Sequence, residues 1–348
     1  MRREDFEYDL PDERIAQSPI EPRDAARLLV DRGEEAPEHR IVRDLPGLLR
    51  PGDVLVVNET RVIPARLRLA RSTGGAAEVL LLDALDGARR HWEALARPGK
   101  RLRPGELLYA SDGRAIVRMG DRTPAGDTFE VELVGATDGP LPLLDELGEM
   151  PLPPYITERL ADQSRYQTVF ANEPGSAAAP TAGLHFTPDL LARLDDVGVE
   201  RHVVELVVGL DTFQPISTAD PLDHPMHTER YRVPASTMAA CRAARAEGRR
   251  VVAVGTTSVR ALESAATRGE DHGRTDLFIH RGFEWRMVDV LLTNFHLPGT
   301  TLLMMIDAFV GPRWRRHYET ALAERYRFLS FGDAMLLDRH AGRPGSVA

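Results

Sequence analysis

Residues 62 to about 150 differ from the rest of the chain: short apolar runs recur with turn signals between them. AEVLLL (77–82), HWEALA (91–96), LLYA (107–110), AIVRM (115–119) and TFEVELVG (128–135) follow one another across short gaps. The gaps read DGARR, RPGKRLRPGE, SDG and GDRTPAGD, rich in residues that turn a chain. The stretch therefore predicts antiparallel strands joined by hairpins, as in a small barrel or sandwich.

The flanks follow a different pattern. GDVLVVN (52–58) reads as a buried strand. Thr187, Pro188 and Asp189 open an amphipathic helix over 188–197 that Gly198 ends. VERHVVELVVG (199–209) is a strand, and Ser236 is expected to cap a helix running to Gly248. RRVVAVG is a strand, TTSVRALESAATRG a helix, LFIH (277–280) a strand, and TTLLMMIDAF a buried helix. This alternation predicts an α/β layer architecture. The expected fold is a mixed-sheet α/β domain formed by both chain ends (1–61 and 151–340). An antiparallel β-barrel (62–150) is inserted in it, and a disordered tail (341–348) follows.

Composition narrows the class of partner. Hydrophobic residues make up 43% of the chain and charged residues 28%, ordinary for a soluble domain. The net charge of −9 argues against a general nucleic-acid coat, though not against a local patch. Lys100 is the sole lysine, so the cations are arginines, which fork onto phosphate and carboxylate. No apolar run is long enough for a membrane helix, and MRREDFEYDLPDER lacks a signal-peptide core. Cys241 is the sole cysteine and reads as a packed residue. These features lead us to expect a cytoplasmic protein without membrane contact.

Four stretches carry candidate chemistry. In VVAVGTTSVRALES (251–264), Thr256, Thr257 and Ser258 stand at a helix start with Arg260 in its first turns, a composition suited to anions. It is neither a dinucleotide loop nor a Walker loop. In DHPMHTERY (223–231), His224 and His227 are three apart with Glu229 beyond, but Pro225 breaks the helix a zinc pair would need, so polar site lining is the better reading. In LLTNFHLPGTTLLMM (291–305), Asn294 and His296 sit in a polar break before a core helix that Thr300 can cap. In GDVLVVNETRVIPARL (52–67), Asn58, Thr60 and Arg61 follow a strand where the two expected domains meet. PTAGLHFTPDLL (180–191) adds Thr181, Gly183 and His185 just ahead of a capped helix. Ordinary caps, turns and satisfied core histidines explain each stretch alone about as well. Together they place polar side chains where strands end and helices begin, which is where α/β folds bind ligands.

The combination resembles the S-adenosylmethionine:tRNA ribosyltransferase-isomerases of queuosine biosynthesis. The resemblance rests on YDLPDERIAQSP, DLPGLLRPGDVLVVNETRVIPARL, MPLPPYI, YQTVFA, AAPTAGLHFT, HPMHTERY, VGTTSVRALES, TNFHLPGTTLLMM and FGDAMLL, in this order over nearly the whole chain. It implies an α/β domain with an inserted barrel. The implied reaction moves the ribosyl part of S-adenosylmethionine onto the aminomethyl group of a 7-deazaguanine at the tRNA wobble position. The product is epoxyqueuosine, with adenine and methionine released. S-adenosylmethionine is then a consumed co-substrate, and no metal or other cofactor is expected. A monomer is favoured.

On this reading His185 is the general base or a close orienter of substrate, kept neutral by the positive end of the following helix. His227, Glu229 and His296 are candidates for proton donation or ribose contacts. Thr256, Thr257, Ser258 and Arg260 suit the methionine carboxylate or ribose, and Arg61 the RNA backbone. Asn58, Thr60, Thr181, Gly183, Asn294 and Thr300 complete the expected substrate-binding set. RWRRHYETALAERYR (313–327) is a candidate anticodon-docking stretch, although a solvated helix face explains it equally well. The sequence departs from the family pattern at Leu210, Asp211, Arg281 and Asp307. Those changes raise an alternative, a paralogue that uses a free deazapurine or another small acceptor. A non-catalytic ligand- or RNA-binding protein on the same fold is the third reading.

Overall fold

The computed structural model describes the chain except residues 124, 125, 137, 159, 209–215, 217, 219, 225, 227 and 343–348. His227, Leu210 and Asp211 therefore lie outside the described residues, as does most of the expected tail. The chain divides into two compact units: Met1–Glu59, Pro154–Asn172 and Pro180–Ala348 form one, Thr60–Pro153 and Glu173–Ala179 the other.

The second unit is the barrel. Its strands run Arg66–Arg71, Ala76–Ala84, His91–Arg97, Phe129–Leu133, Ala115–Arg122 and Leu107–Tyr109 in spatial order, and the last pairs back onto the first. Alternate residues fill the interior, among them Leu67, Val79, Leu81, Trp92, Ala94, Val117, Met119, Val131 and Leu133, all essentially inaccessible. One segment was not foreseen: Glu173–Ser176 pairs in parallel with Thr60–Val62 and so belongs to this unit. EPGS carries no apolar period to announce such a strand.

The first unit holds a nine-stranded mixed sheet with helices packed on it. Its heart is four parallel strands, Glu200–Leu206, Val54–Asn58, Val251–Val254 and Val290–Asn294, in that spatial order. Every residue of the last three is buried. Central parallel strands covered on both faces need such continuous apolar runs. Because they run the same way, their carboxyl ends, at Asn58, Val254 and Asn294, lie side by side.

Thr187 and Thr300 cap their helices as expected, while two other local readings fail. Thr187 accepts from the Leu190 N–H at 3.1 Å to start the Pro188–Asp196 helix, and Gly198 leaves it with φ +81°. Ser236 is not a cap: the helix begins at Ala235 behind Pro234, with no side-chain cap. LFIH is not a strand either. The edge strand is His272–Thr275, paired with Glu229–Arg232, and the Thr275 hydroxyl then accepts from the Leu277 N–H and turns the chain out of the sheet.

Glu263 ties a helix to a loop. It lies on the Gly255–Arg268 helix, is fully buried, and accepts the backbone N–H groups of Arg286, Met287 and Val288 at 2.9 Å each. Burial pushes its pKa up, while these hydrogen bonds oppose that. Glu263→Ala would leave three inward-facing donors unpaired, so we expect a loss of about 3 kcal/mol in urea unfolding. A loss below about 1 kcal/mol would show that water replaces the carboxylate without cost.

Candidate active site

The carboxyl edge of the parallel strands gathers most of the expected residues. Asn294 ends one central strand, and the Gly255–Arg268 helix springs directly from another. Gly255 makes that junction with φ +84°, a conformation open to glycine at little cost. The Thr181–His185 turn packs against the Val290–Asn294 strand and the same helix.

At this edge His185, Asn294 and Thr181 form a buried chain. The Thr181 hydroxyl donates to Asn294 Oδ1 at 3.1 Å. Asn294 Nδ2 lies 3.1 Å from the Leu329 carbonyl oxygen and 3.3 Å from His185 Nε2. His185 is only 5% exposed, and burial lowers its pKa to about 4, with nearby Arg327 adding to the shift. The histidine is thus neutral near pH 7 as expected, but desolvation is the main cause rather than the helix end. Thr187, which caps that helix, is two residues away from it.

His296 is also buried, in polar and aromatic packing. Its Nε2 is 3.0 Å from the Thr293 hydroxyl, its N–H donates to Tyr318 Oη at 2.9 Å, and its carbonyl accepts from Tyr8. Burial lowers its pKa to about 3.

The helix start holds a second polar group. Arg260 and Glu229 form a buried ion pair, each side chain 6% exposed. In that pair Glu229 accepts from Arg260. Among the described residues, Nε and Nη2 of Arg260 and Oγ1 of buried Thr257 have no hydrogen-bond partner. Thr256, Thr257 and Arg260 share a helix face at spacings of three and four, and long helix side chains lean toward the N-terminus. Buried donors at a helix start are suited to an anion.

Other expected residues are occupied by the fold. The Ser258 hydroxyl donates to the Val254 carbonyl at 2.8 Å. Thr300 caps the Thr301–Val310 helix. Asn58 holds both the N–H and the carbonyl of Leu206. Gly183 leaves room for packing, since a Cβ there would come within 2.6 Å of the Phe170 ring. Thr60 and Arg61 lie in the strand that pairs with Glu173–Ser176 in the barrel unit. His224 is part-buried. Among the described residues no group of three His, Cys, Asp or Glu could hold a metal ion. No described helix is long and apolar enough to cross a membrane.

The arginine-rich stretch proves to be a structural staple. Arg313 bonds Asp31 at 2.9 Å and Arg316 the Glu34 carbonyl at 2.8 Å. Arg315 reaches the Asp5 carbonyl and lies over the Trp314 ring. Two of the substituted positions also explain each other. Arg281 grips Asp307 through Nε at 3.1 Å and Nη2 at 2.9 Å, and the Trp314 indole N–H adds a third bond at 3.1 Å. A carboxylate inside an apolar helix requires such partners. No spacing rule links positions 26 apart, so the pair is not readable from the sequence.

Residues 3–337 match the family model described as "Queuosine biosynthesis protein". The chain belongs to this family. It is 53% identical to the S-adenosylmethionine:tRNA ribosyltransferase-isomerase of Symbiobacterium thermophilum, across 97% of this chain and 100% of that one. It is 50% identical to the enzyme of that name from Acidithiobacillus ferrooxidans, across 99% and 100%. The crystal structure of S-adenosylmethionine tRNA ribosyltransferase from Thermotoga maritima is 38% identical, covers 95% of this chain, and superposes with a TM-score of 0.54.

The two histidines give a testable pH dependence. Both are neutral in the folded protein, whereas an unfolded histidine gains a proton near pH 6.5. The unfolded state binds more protons below that value, so stability falls as pH drops from about 6.5 toward 4. We expect His296→Gln to make that fall in melting temperature shallower. An unchanged slope would remove His296 from the account.

Proposed function

We propose that this chain transfers and isomerises the ribosyl moiety of S-adenosylmethionine. The acceptor is the aminomethyl group of 7-aminomethyl-7-deazaguanine at the tRNA wobble position, and the products are epoxyqueuosine, adenine and methionine. The observation that carries this reading is the match over nearly the full chain to enzymes named for that activity. S-adenosylmethionine is consumed, with no separate cofactor, by a cytoplasmic monomer.

The geometry supports particular roles. The unpartnered donors of Arg260, with Thr257 and Thr256 at the helix start, take the methionine carboxylate. Glu229 holds Arg260 in place for it. The His185–Asn294–Thr181 chain faces the ribosyl part. His296 and His227 are kept as candidates for proton donation or ribose contacts, and Arg61 for the RNA backbone. Arg281 and Asp307 satisfy one another, so they call for no change of acceptor.

Incubation with S-adenosylmethionine and tRNA carrying the deazaguanine should release adenine and modify the tRNA. Adenine release with free deazapurine alone would overturn the tRNA assignment. Arg260→Ala, made with Glu229→Gln so that no buried charge is left unpaired, should raise KM for S-adenosylmethionine roughly 10- to 100-fold. An unchanged KM would place the carboxylate elsewhere.

A further inference from the structure

The amide of Asn294 has one allowed orientation. The Leu329 carbonyl can only accept, so the Asn294 atom 3.1 Å from it must be the NH2 group. The opposite orientation would set two oxygens against each other there. It also fits the other side, where the Thr181 hydroxyl donates to Asn294 Oδ1. The second hydrogen of that NH2 group then points at His185 Nε2, 3.3 Å away. A donor facing this nitrogen requires it to be the unprotonated one. In a neutral imidazole the proton is then on Nδ1, for which no described residue provides a hydrogen-bond partner.

Backbone strain marks the same spot. Leu329, whose carbonyl orients Asn294, has φ +69°, a left-handed conformation that is strained for a non-glycine residue. Its N–H bonds the Phe295 carbonyl at 3.2 Å, so the turn is held from both ends. Strain of this kind persists where the surroundings over-determine it, and it clusters at functional sites.

We propose that Asn294 is a positioning residue that fixes His185 as its Nδ1–H tautomer, so that His185 meets the substrate as a neutral hydrogen-bond donor and not as a base. Its lone pair is occupied by Asn294, and its free polar atom is a donor. The matching substrate atom is an uncharged acceptor, a ring nitrogen of the departing adenine or a ribose oxygen. No proton is transferred, because neutral imidazole is far too weak an acid near pH 7; the donor stabilises charge that develops in the transition state. This role rests on the ribosyl-transfer reading, whereas the tautomer is a property of the free protein.

Two experiments separate these levels. Two-bond proton–nitrogen correlation spectra of the full chain labelled with nitrogen-15 histidine report which ring nitrogen carries the proton. The His185 signals are assigned by their loss in His185→Asn. We expect Nδ1 to be protonated in the wild type and the proton to move to Nε2 in Asn294→Asp, whose carboxylate can only accept. A wild-type signal showing the proton on Nε2 overturns the proposal whatever the enzyme catalyses.

The second experiment measures adenine release. An asparagine at 185 can place an amide N–H near the Nδ1 position, whereas glutamine reaches the Nε2 position. A lost donor costs roughly 100-fold or more in kcat, so His185→Gln and His185→Ala should fall by that much while His185→Asn stays within about tenfold of wild type. Equal losses in all three variants would point to a base and overturn the donor role. Wild-type turnover in the Gln and Ala variants would remove His185 from the chemistry. If wild type itself releases no adenine with any acceptor, the ribosyl-transfer reading fails and the spectra alone judge the tautomer.

Discussion

Desolvation at the carboxyl edge of the parallel strands is the constraint on which the rest of this structure depends. Three of these strands are buried along their whole length, so water cannot serve the polar groups where they stop. Each such group must find a protein partner or keep a place for a ligand. Asn58 spends its amide on Leu206, and Ser258 its hydroxyl on Val254. Asn294 divides its amide among Thr181, Leu329 and His185. Arg260 satisfies only part of its guanidinium through Glu229.

The same desolvation sets the protonation states. Burial, before any neighbouring charge, makes His185 and His296 poor bases. It also explains why ionised groups in this unit come in pairs. A lone buried carboxylate at Asp307 or Glu229 would be very costly, and each is met by an arginine. Among the described residues Arg43, Arg165, Arg313 and Arg316 each leave a buried Nε unpaired, whereas Arg260 leaves both Nε and Nη2, beside the unpaired Thr257 hydroxyl.

Much of the fold was legible in the sequence. Short apolar runs with turn residues between them announced the barrel, and continuous apolar runs announced the central strands, because burial on one face or two leaves different periods. Thr187 and Thr300 were readable as caps because capping is local. LFIH and EPGS were not readable. Their states were decided by distant strands: Glu229–Arg232 takes His272–Thr275 as its edge partner in one case, and Thr60–Val62 takes Glu173–Ser176 in the other. The arginine-rich stretch looked like an exposed cationic face, but backbone carbonyls and Asp31, brought in from the N-terminal part of the chain, take up several of its guanidiniums.

The sequence by itself determined the fold class, the family, and the stretches from which a site would be assembled. These follow from periodicity, caps and motif order, all of which act over a few residues. Only the tertiary structure decided what each polar side chain does. The partners lie 31 residues apart for Arg260 and Glu229, 26 for Arg281 and Asp307, and 109 for His185 and Asn294. Such pairings depend on which strands become neighbours, and neighbouring strands are chosen by the burial of the whole sheet, not by local sequence.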